Sequence, residues 1–263
     1  MVAGFEKFKE HFGAFQDEFI IIGGTAVQLV RGESDHTRVT RDIDLLVVAE
    51  RMSAEFSGAF HAFLSAGEYS CYFSKNGKPH FYRFLQPKTE GYPEMIELLS
   101  SAEMDGTAAF MPLPDVPDAS MSAIVLGRSY YEYALAHSTR EYGLPCLTRE
   151  ALIVFKAAAY MNLLEEYQKT SDPLRLHDTK KHRRDVFMLV ADLEPNARAN
   201  APADIQERMQ QFIDLWKPAN PEWPDVLASI GLRRDADPTT RIDAFRRLFD
   251  LSRNGEQVMR QII

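Results

Sequence analysis

Cysteine and tryptophan are scarce in this chain of 263 residues, with two of each. Cys71 and Cys146 have neither metal-site spacing nor a secretory context, so a disulfide framework is excluded and both read as ordinary thiols. Long apolar runs are missing as well. The N-terminal stretch MVAGFEKFKEHFGAF reads as an amphipathic helix of mixed charge, without the uninterrupted apolar segment of a signal peptide or membrane span. The expectation is a soluble, cytoplasmic protein with no membrane partner. Positive charge is not in excess: 30 Lys and Arg stand against 38 Asp and Glu, a formal net charge of −8. A protein that grips nucleic acid non-specifically needs a basic surface, and the chain as a whole does not supply one. No repeat of solenoid period, no Walker loop and no Ser-His-Asp series is present. His177 and His182 are five apart, off-phase on a helix, which argues against zinc.

What is present is concentrated between Ile20 and Val48. Phe19-Ile20-Ile21-Ile22 reads as a buried strand, and Thr25-Ala26-Val27-Gln28-Leu29-Val30 as a short helix with Thr25 at or near its cap. Gly23 and Gly24 between them carry no side chain to hold a phosphate away from the backbone amides of a helix start. A second apolar run then begins Asp42-Ile43-Asp44-Leu45. Side chains alternate along a strand, so Asp42 and Asp44 point to one face, where two like charges need a cation. Hard oxygen ligands of this kind select magnesium, which binds through one or two carboxylates together with substrate phosphates.

The rest of the chain divides in two. Phe56, Phe60, Phe63 and Leu64 lie at helical spacing and predict a helix covering a sheet. Tyr69–Ser74 and His80–Leu85 predict paired strands around a turn at Asn76-Gly77, and Met95–Leu99 a further strand. The stretch at 112–120 reads as a proline-rich loop, and Tyr130–Leu135 as a returning strand. Thr148 caps the first of a series of helices that runs to the end. The organisation expected is α+β, with a catalytic domain over residues 1–147 and a helical domain over 148–263. Charge is uneven between the halves. Residues 1–145 hold 12 Lys and Arg against 20 Asp and Glu; the remainder holds 18 of each, including Lys180-Lys181-His182-Arg183-Arg184. That run is either a solvated helix face or a local basic surface.

The segment IIGGTAVQLV followed by Arg38-Val39-Thr40-Arg41-Asp42-Ile43-Asp44-Leu45 resembles the nucleotidyltransferases of the DNA polymerase beta superfamily, and within it the AbiEii-like family of bacterial toxin-type enzymes. The resemblance spans Phe19–Leu193. It implies a mixed-sheet nucleotidyltransferase domain followed by a helical domain, with an NTP held in the cleft between them and a nucleoside monophosphate moved to an acceptor hydroxyl. A third carboxylate is implied on a strand beside Asp42 and Asp44; Glu97 in Pro93-Glu94-Met95-Ile96-Glu97-Leu98 matches, with Glu94 the weaker alternative. Asp42, Asp44 and Glu97 would hold magnesium, two ions in the family's manner. Gly23, Gly24 and Thr25 would cradle phosphates, Arg38 and Arg41 would contact phosphate or acceptor, and Lys156, in Leu147–Ala159, would reach the triphosphate.

Asp185 in Lys181–Phe187 matches a second family motif, although His182 replaces the usual acid. Its plainer reading is a surface ion pair with Lys181. A polar, insertion-like stretch, Gln168–Asp178, separates Lys156 from Asp185. The family includes toxins of toxin–antitoxin and phage-defence systems, so a cognate antitoxin partner and a tRNA acceptor are implied. A small-molecule, aminoglycoside-type transferase is the nearest alternative, since an acidic first half suits a cationic acceptor. A non-catalytic nucleotide-binding regulator is a third reading.

Overall fold

The computed structural model describes residues 1–32, 40–73, 79–101, 111–112, 120–121 and 124–251. It is an α+β structure in two compact units, Met1–Thr148 and Arg149–Ile263. In the first, α1 (Phe5–Phe12) precedes β1 (Phe19–Ile22), α2 (Gly23–Arg31) and β2 (Asp42–Val47). Next come α3 (Ala54–Ala66), β3 (Ser70–Phe73), β4 (Pro79–Leu85) and β5 (Met95–Ser101), followed by the short β6 (Met111–Pro112), β7 (Ser120–Met121) and β8 (Ile124–Leu126). Then α4 (Arg128–Ala136), β9 (Ser138–Glu141) and β10 (Leu144–Leu147) complete the unit.

The main sheet is mixed, in the order β3-β4-β5-β2-β1-β10-β9, with β8 also pairing to β5. β2 and β5 run parallel, as do β1 and β10, whereas β1–β2 and β4–β5 are antiparallel. Register decides what each face carries. Phe19 and Ile21 stand opposite Val47 and Leu45, and Phe84 opposite Ile96, all on one face. The aromatic rings of α1 and α3 close over that face: Phe12 meets Phe8, Phe19, Phe56, Phe60 and Phe63, and Phe60 meets Phe84. Phe12 is fully buried there, and truncating such a ring to alanine costs about 3–5 kcal/mol. The opposite face, one residue out of phase, is where Asp42, Asp44 and Glu97 project.

The Tyr130–Leu135 segment is a helix, α4, and not the strand that its tyrosines suggest. Its Arg128 and Glu132 form an i,i+4 pair at 2.8 Å, and Tyr131 is buried with its hydroxyl donating to Glu50 Oε2 at 2.5 Å and accepting from the Ala49 amide at 3.1 Å. Those contacts outweigh aromatic β-propensity, which is a weak preference beside packing. The expected Asn76-Gly77 turn lies outside the described residues, although β3 and β4 on either side of it pair antiparallel. Both cysteines are unbridged. Cys146 is buried on β10, and burial pushes its thiol up to about 12.

The second unit is helical: α5 (Arg149–Thr170), α6 (Pro173–Ala191), α7 (Ala203–Leu215), α8 (Trp223–Ser229) and α9 (Thr239–Phe249). Its core is a cluster of rings in which Phe187 and Trp216 each touch Phe212, Trp223 and one another, and Tyr160 and Phe245 extend the cluster. The polar stretch at 168–178 is no inserted loop. α5 and α6 run through it to a two-residue connection, where Asp172 caps α6 by accepting from the Leu174 amide at 3.0 Å. No helix among the described residues is long and apolar enough to cross a membrane.

Candidate active site

The site is built on a single row across the sheet. Ile22 on β1 stands opposite Asp44 on β2, Asp44 opposite Glu97 on β5, and Glu97 opposite Arg83 on β4. Residues in register on neighbouring strands share a face, and Asp42 lies two positions from Asp44 on that same face. The burial pattern of β2 agrees: Ile43 and Leu45 are buried, whereas Asp42 and Asp44 are half-buried. Two carboxylates and a third from the adjacent strand therefore share one face of the sheet.

Local contacts fix each acid. The Thr40 hydroxyl donates to Asp42 Oδ1. Thr25, fully buried in the first turn of α2, donates its hydroxyl to the Asp42 main-chain oxygen at 2.6 Å. This hydroxyl proton holds β2 against α2. Gly23 has φ of 68°, and a Cβ there would overlap Asp44 Oδ2. Glycine is required twice over, by the left-handed backbone and by the carboxylate packed against it. Gly24 is buried in the same turn.

Glu97 is held by a residue that the sequence reading left without a role. Arg83 donates through Nε at 2.8 Å and lies 2.7 Å away through Nη2, both to Glu97 Oε2. An arginine in the strand PHFYRFL carries no signal of its own; only the β4–β5 register places it. Arg41 is exposed and lies 3.6 Å from Glu94, so the alternative acid Glu94 sits in a surface pair away from the row. Arg38 lies outside the described residues.

Magnesium was expected on three carboxylates. Asp42 and Asp44 fit a hard cation that brings its own phosphate ligands. Glu97 Oε2 already takes two donors from Arg83. Among the described residues no three His, Cys, Asp or Glu side chains come together so as to hold a metal ion.

In the helical unit, the two residues expected to bind nucleotide are paired with each other. Lys156 Nζ lies 3.0 Å from Asp185 Oδ2, with side chains only 7% and 3% exposed. A buried charge needs an opposite charge, and α5 and α6 supply one each. Lys156 therefore does not present its ammonium to solvent, and Asp185 pairs with Lys156, not with Lys181. Lys181 lies beside Asp178 at 3.4 Å. The basic run is largely committed too. Arg183 is buried, paired with Glu222 and set over the Trp216 ring at 5.6 Å, and burial holds its guanidinium below the usual arginine range. Arg184 donates to the Ser229 carbonyl at 2.8 Å.

No protein-family model matches this chain, and no curated protein matches it. Solved structures similar to it include the solution structure of the antibiotic-resistance factor ANT(2'')-Ia, at 17% identity over 81% of this chain and 91% of that one, with a TM-score of 0.37. A crystal structure of an antigenic nucleotidyltransferase-like protein from Paracoccidioides brasiliensis is 13% identical over 88% of this chain and 95% of that one, with a TM-score of 0.39. Figures of this size describe a loose likeness of shape and decide nothing about activity. The resemblance to the AbiEii-like family thus rests on the sequence motifs between Gly23 and Asp185.

Proposed function

We propose that this protein is a metal-dependent nucleotidyltransferase that moves a nucleoside monophosphate from an NTP to an acceptor hydroxyl and releases pyrophosphate. One observation carries the reading: Asp42, Asp44 and Glu97 share a sheet face, in register, beside a helix start that glycine keeps open to a carboxylate. Asp42 and Asp44 would hold magnesium, which when bound offsets the negative charge gathering on the triphosphate. Thr40 and Thr25 fix the position of Asp42. Glu97, oriented by Arg83, is the group suited to take the proton of the attacking hydroxyl. The acceptor oxygen forms its bond to the α-phosphorus as the bond to the pyrophosphate oxygen breaks.

For the acceptor, the family resemblance suggests tRNA and a toxin restrained by a cognate antitoxin in a toxin–antitoxin or phage-defence system. A small cationic acceptor of aminoglycoside type is the second reading, and a specific observation favours it. Arg183 and Arg184, half of the cationic charge in the basic run, are committed inside the helical unit, which removes much of the surface that RNA would grip.

The test is transfer from each of four radiolabelled NTPs, with magnesium, to total RNA or to an aminoglycoside. Asp42→Asn or Asp44→Asn should lower transfer about a thousandfold, the scale of removing a group that stabilises transition-state charge. Transfer at the wild-type rate by the double variant would end the proposal. Labelled RNA supports the toxin reading, and labelling of the aminoglycoside alone supports the other.

A further inference from the structure

Three carboxylates and an arginine share the acidic face among the described residues. Asp42, Asp44 and Glu97 bring three negative charges, and Arg83 brings one positive charge already placed against the third. Two of its donors land on Oε2 of Glu97, at 2.7 and 2.8 Å, which uses the two lone pairs of that oxygen. Arginine cannot shed its proton to make way for a metal ion. A divalent cation bridging Asp44 and Glu97 would stand next to a guanidinium, and like charges at that range oppose each other. The pair is also no loose surface contact, since the Glu97 side chain is 12% exposed.

Resting on the nucleotidyltransferase reading above, we propose that Arg83 takes the place of a second cation. The site then binds one divalent ion, through Asp42 and Asp44, and Glu97 is not a metal ligand. Arg83 is a positioning residue: it holds Glu97 turned so that Oε1, not Oε2, faces the reacting hydroxyl. The two-ion arrangement that the family resemblance implies does not fit this face, and the reason is the β4–β5 register that sets Arg83 opposite Glu97.

The measurement is the number of Mn2+ ions retained per chain, read by electron paramagnetic resonance on full-length protein saturated with a non-hydrolysable analogue of each of the four NTPs. Wild type should retain one ion. Glu97→Gln should still retain one, and Asp42→Asn should retain none. Arg83→Met, which removes the resident positive charge, should raise the count to two, whereas Arg83→Lys should leave it at one. Two ions in wild type, falling to one in Glu97→Gln, would make Glu97 a ligand and overturn the inference while leaving the nucleotidyltransferase reading intact. A count of one in folded Arg83→Met would also overturn it. Should Arg83→Met not fold, the wild-type and Glu97→Gln counts still decide. If no analogue brings Mn2+ to the protein, or if Asp42→Asn retains as much as wild type, the nucleotidyltransferase reading fails and takes the inference with it.

Discussion

Each unit of this protein contains an ion pair between residues far apart in sequence, and the two pairs do opposite things. Arg83 and Glu97 meet on a sheet face with side chains 34% and 12% exposed, beside two further carboxylates. Lys156 and Asp185 meet between two helices at 7% and 3% exposure, with no other acid paired to the lysine among the described residues. In the first, the pair shares its face with two more carboxylates among the described residues, and on the proposed function an incoming cation and triphosphate would meet that charge. In the second, charge is balanced and sealed, so the pair serves the register of α5 against α6. Pairing alone does not reveal function; the surplus charge around the pair does.

The comparison breaks most visibly at Lys156. Lys156→Met should cost about 3–5 kcal/mol, measured by urea denaturation, because Asp185 is left as an uncompensated buried charge. The double variant Lys156→Met, Asp185→Leu should recover most of that loss, since an apolar pair of similar volume satisfies the same space. If Lys156→Met instead leaves stability unchanged and weakens NTP binding, the lysine belongs to the nucleotide after all. Gly23→Ala should be next in size, losing about 1–2 kcal/mol from the left-handed backbone and, through displacement of Asp44, most of the transfer activity. Retained activity in that variant would show that Asp44 need not lie where it does.

Arg83→Met should cost only about 1 kcal/mol in stability, the scale of a partly solvated pair, yet reduce transfer through kcat more than through KM. A rise in KM alone would make Arg83 a substrate contact. The smallest expected effect is that of salt. At about 1 M ionic strength, screening reaches about 3 Å, so the stability difference between wild type and Arg83→Met should shrink while that of Lys156→Met hardly moves. Equal salt responses would mean that the two pairs are buried alike.

Much of the first unit was legible in the residues themselves. The order of apolar run, glycine pair, helix and Asp-x-Asp strand is local, and local spacing maps directly onto a strand, a turn, a helix and a strand face. Glu97 was reached through the family resemblance, and the structure sets it opposite Asp44 on the same face. Arg83 was not, since its partner is set by strand register 14 residues away, which no local pattern encodes. The Lys156–Asp185 pair escaped for the same reason, its members joined only when α5 and α6 fold back on each other. α4 misled because tyrosines favour strands on their own, and the hydroxyl contacts of Tyr131 with Glu50 and Ala49 appear only in three dimensions. The polar ends of α5 and α6 misled differently: where a helical hairpin projects from its core, hydrophobic periodicity fades and the helix loses its signature.

The place of β1 in the sheet bears on how the chain reaches its fold. One edge of β1 pairs with β2, close in sequence, but its other edge pairs with β10, with Ile21 meeting Cys146 across a long interval of sequence. Until residue 147 has emerged, Phe19-Ile20-Ile21-Ile22 is an open apolar edge, the kind that recruits strands from other chains. Contacts of such separation also close slowly. A nascent chain stalled before Leu144 should therefore aggregate or engage a chaperone, and one released just beyond Leu147 should not.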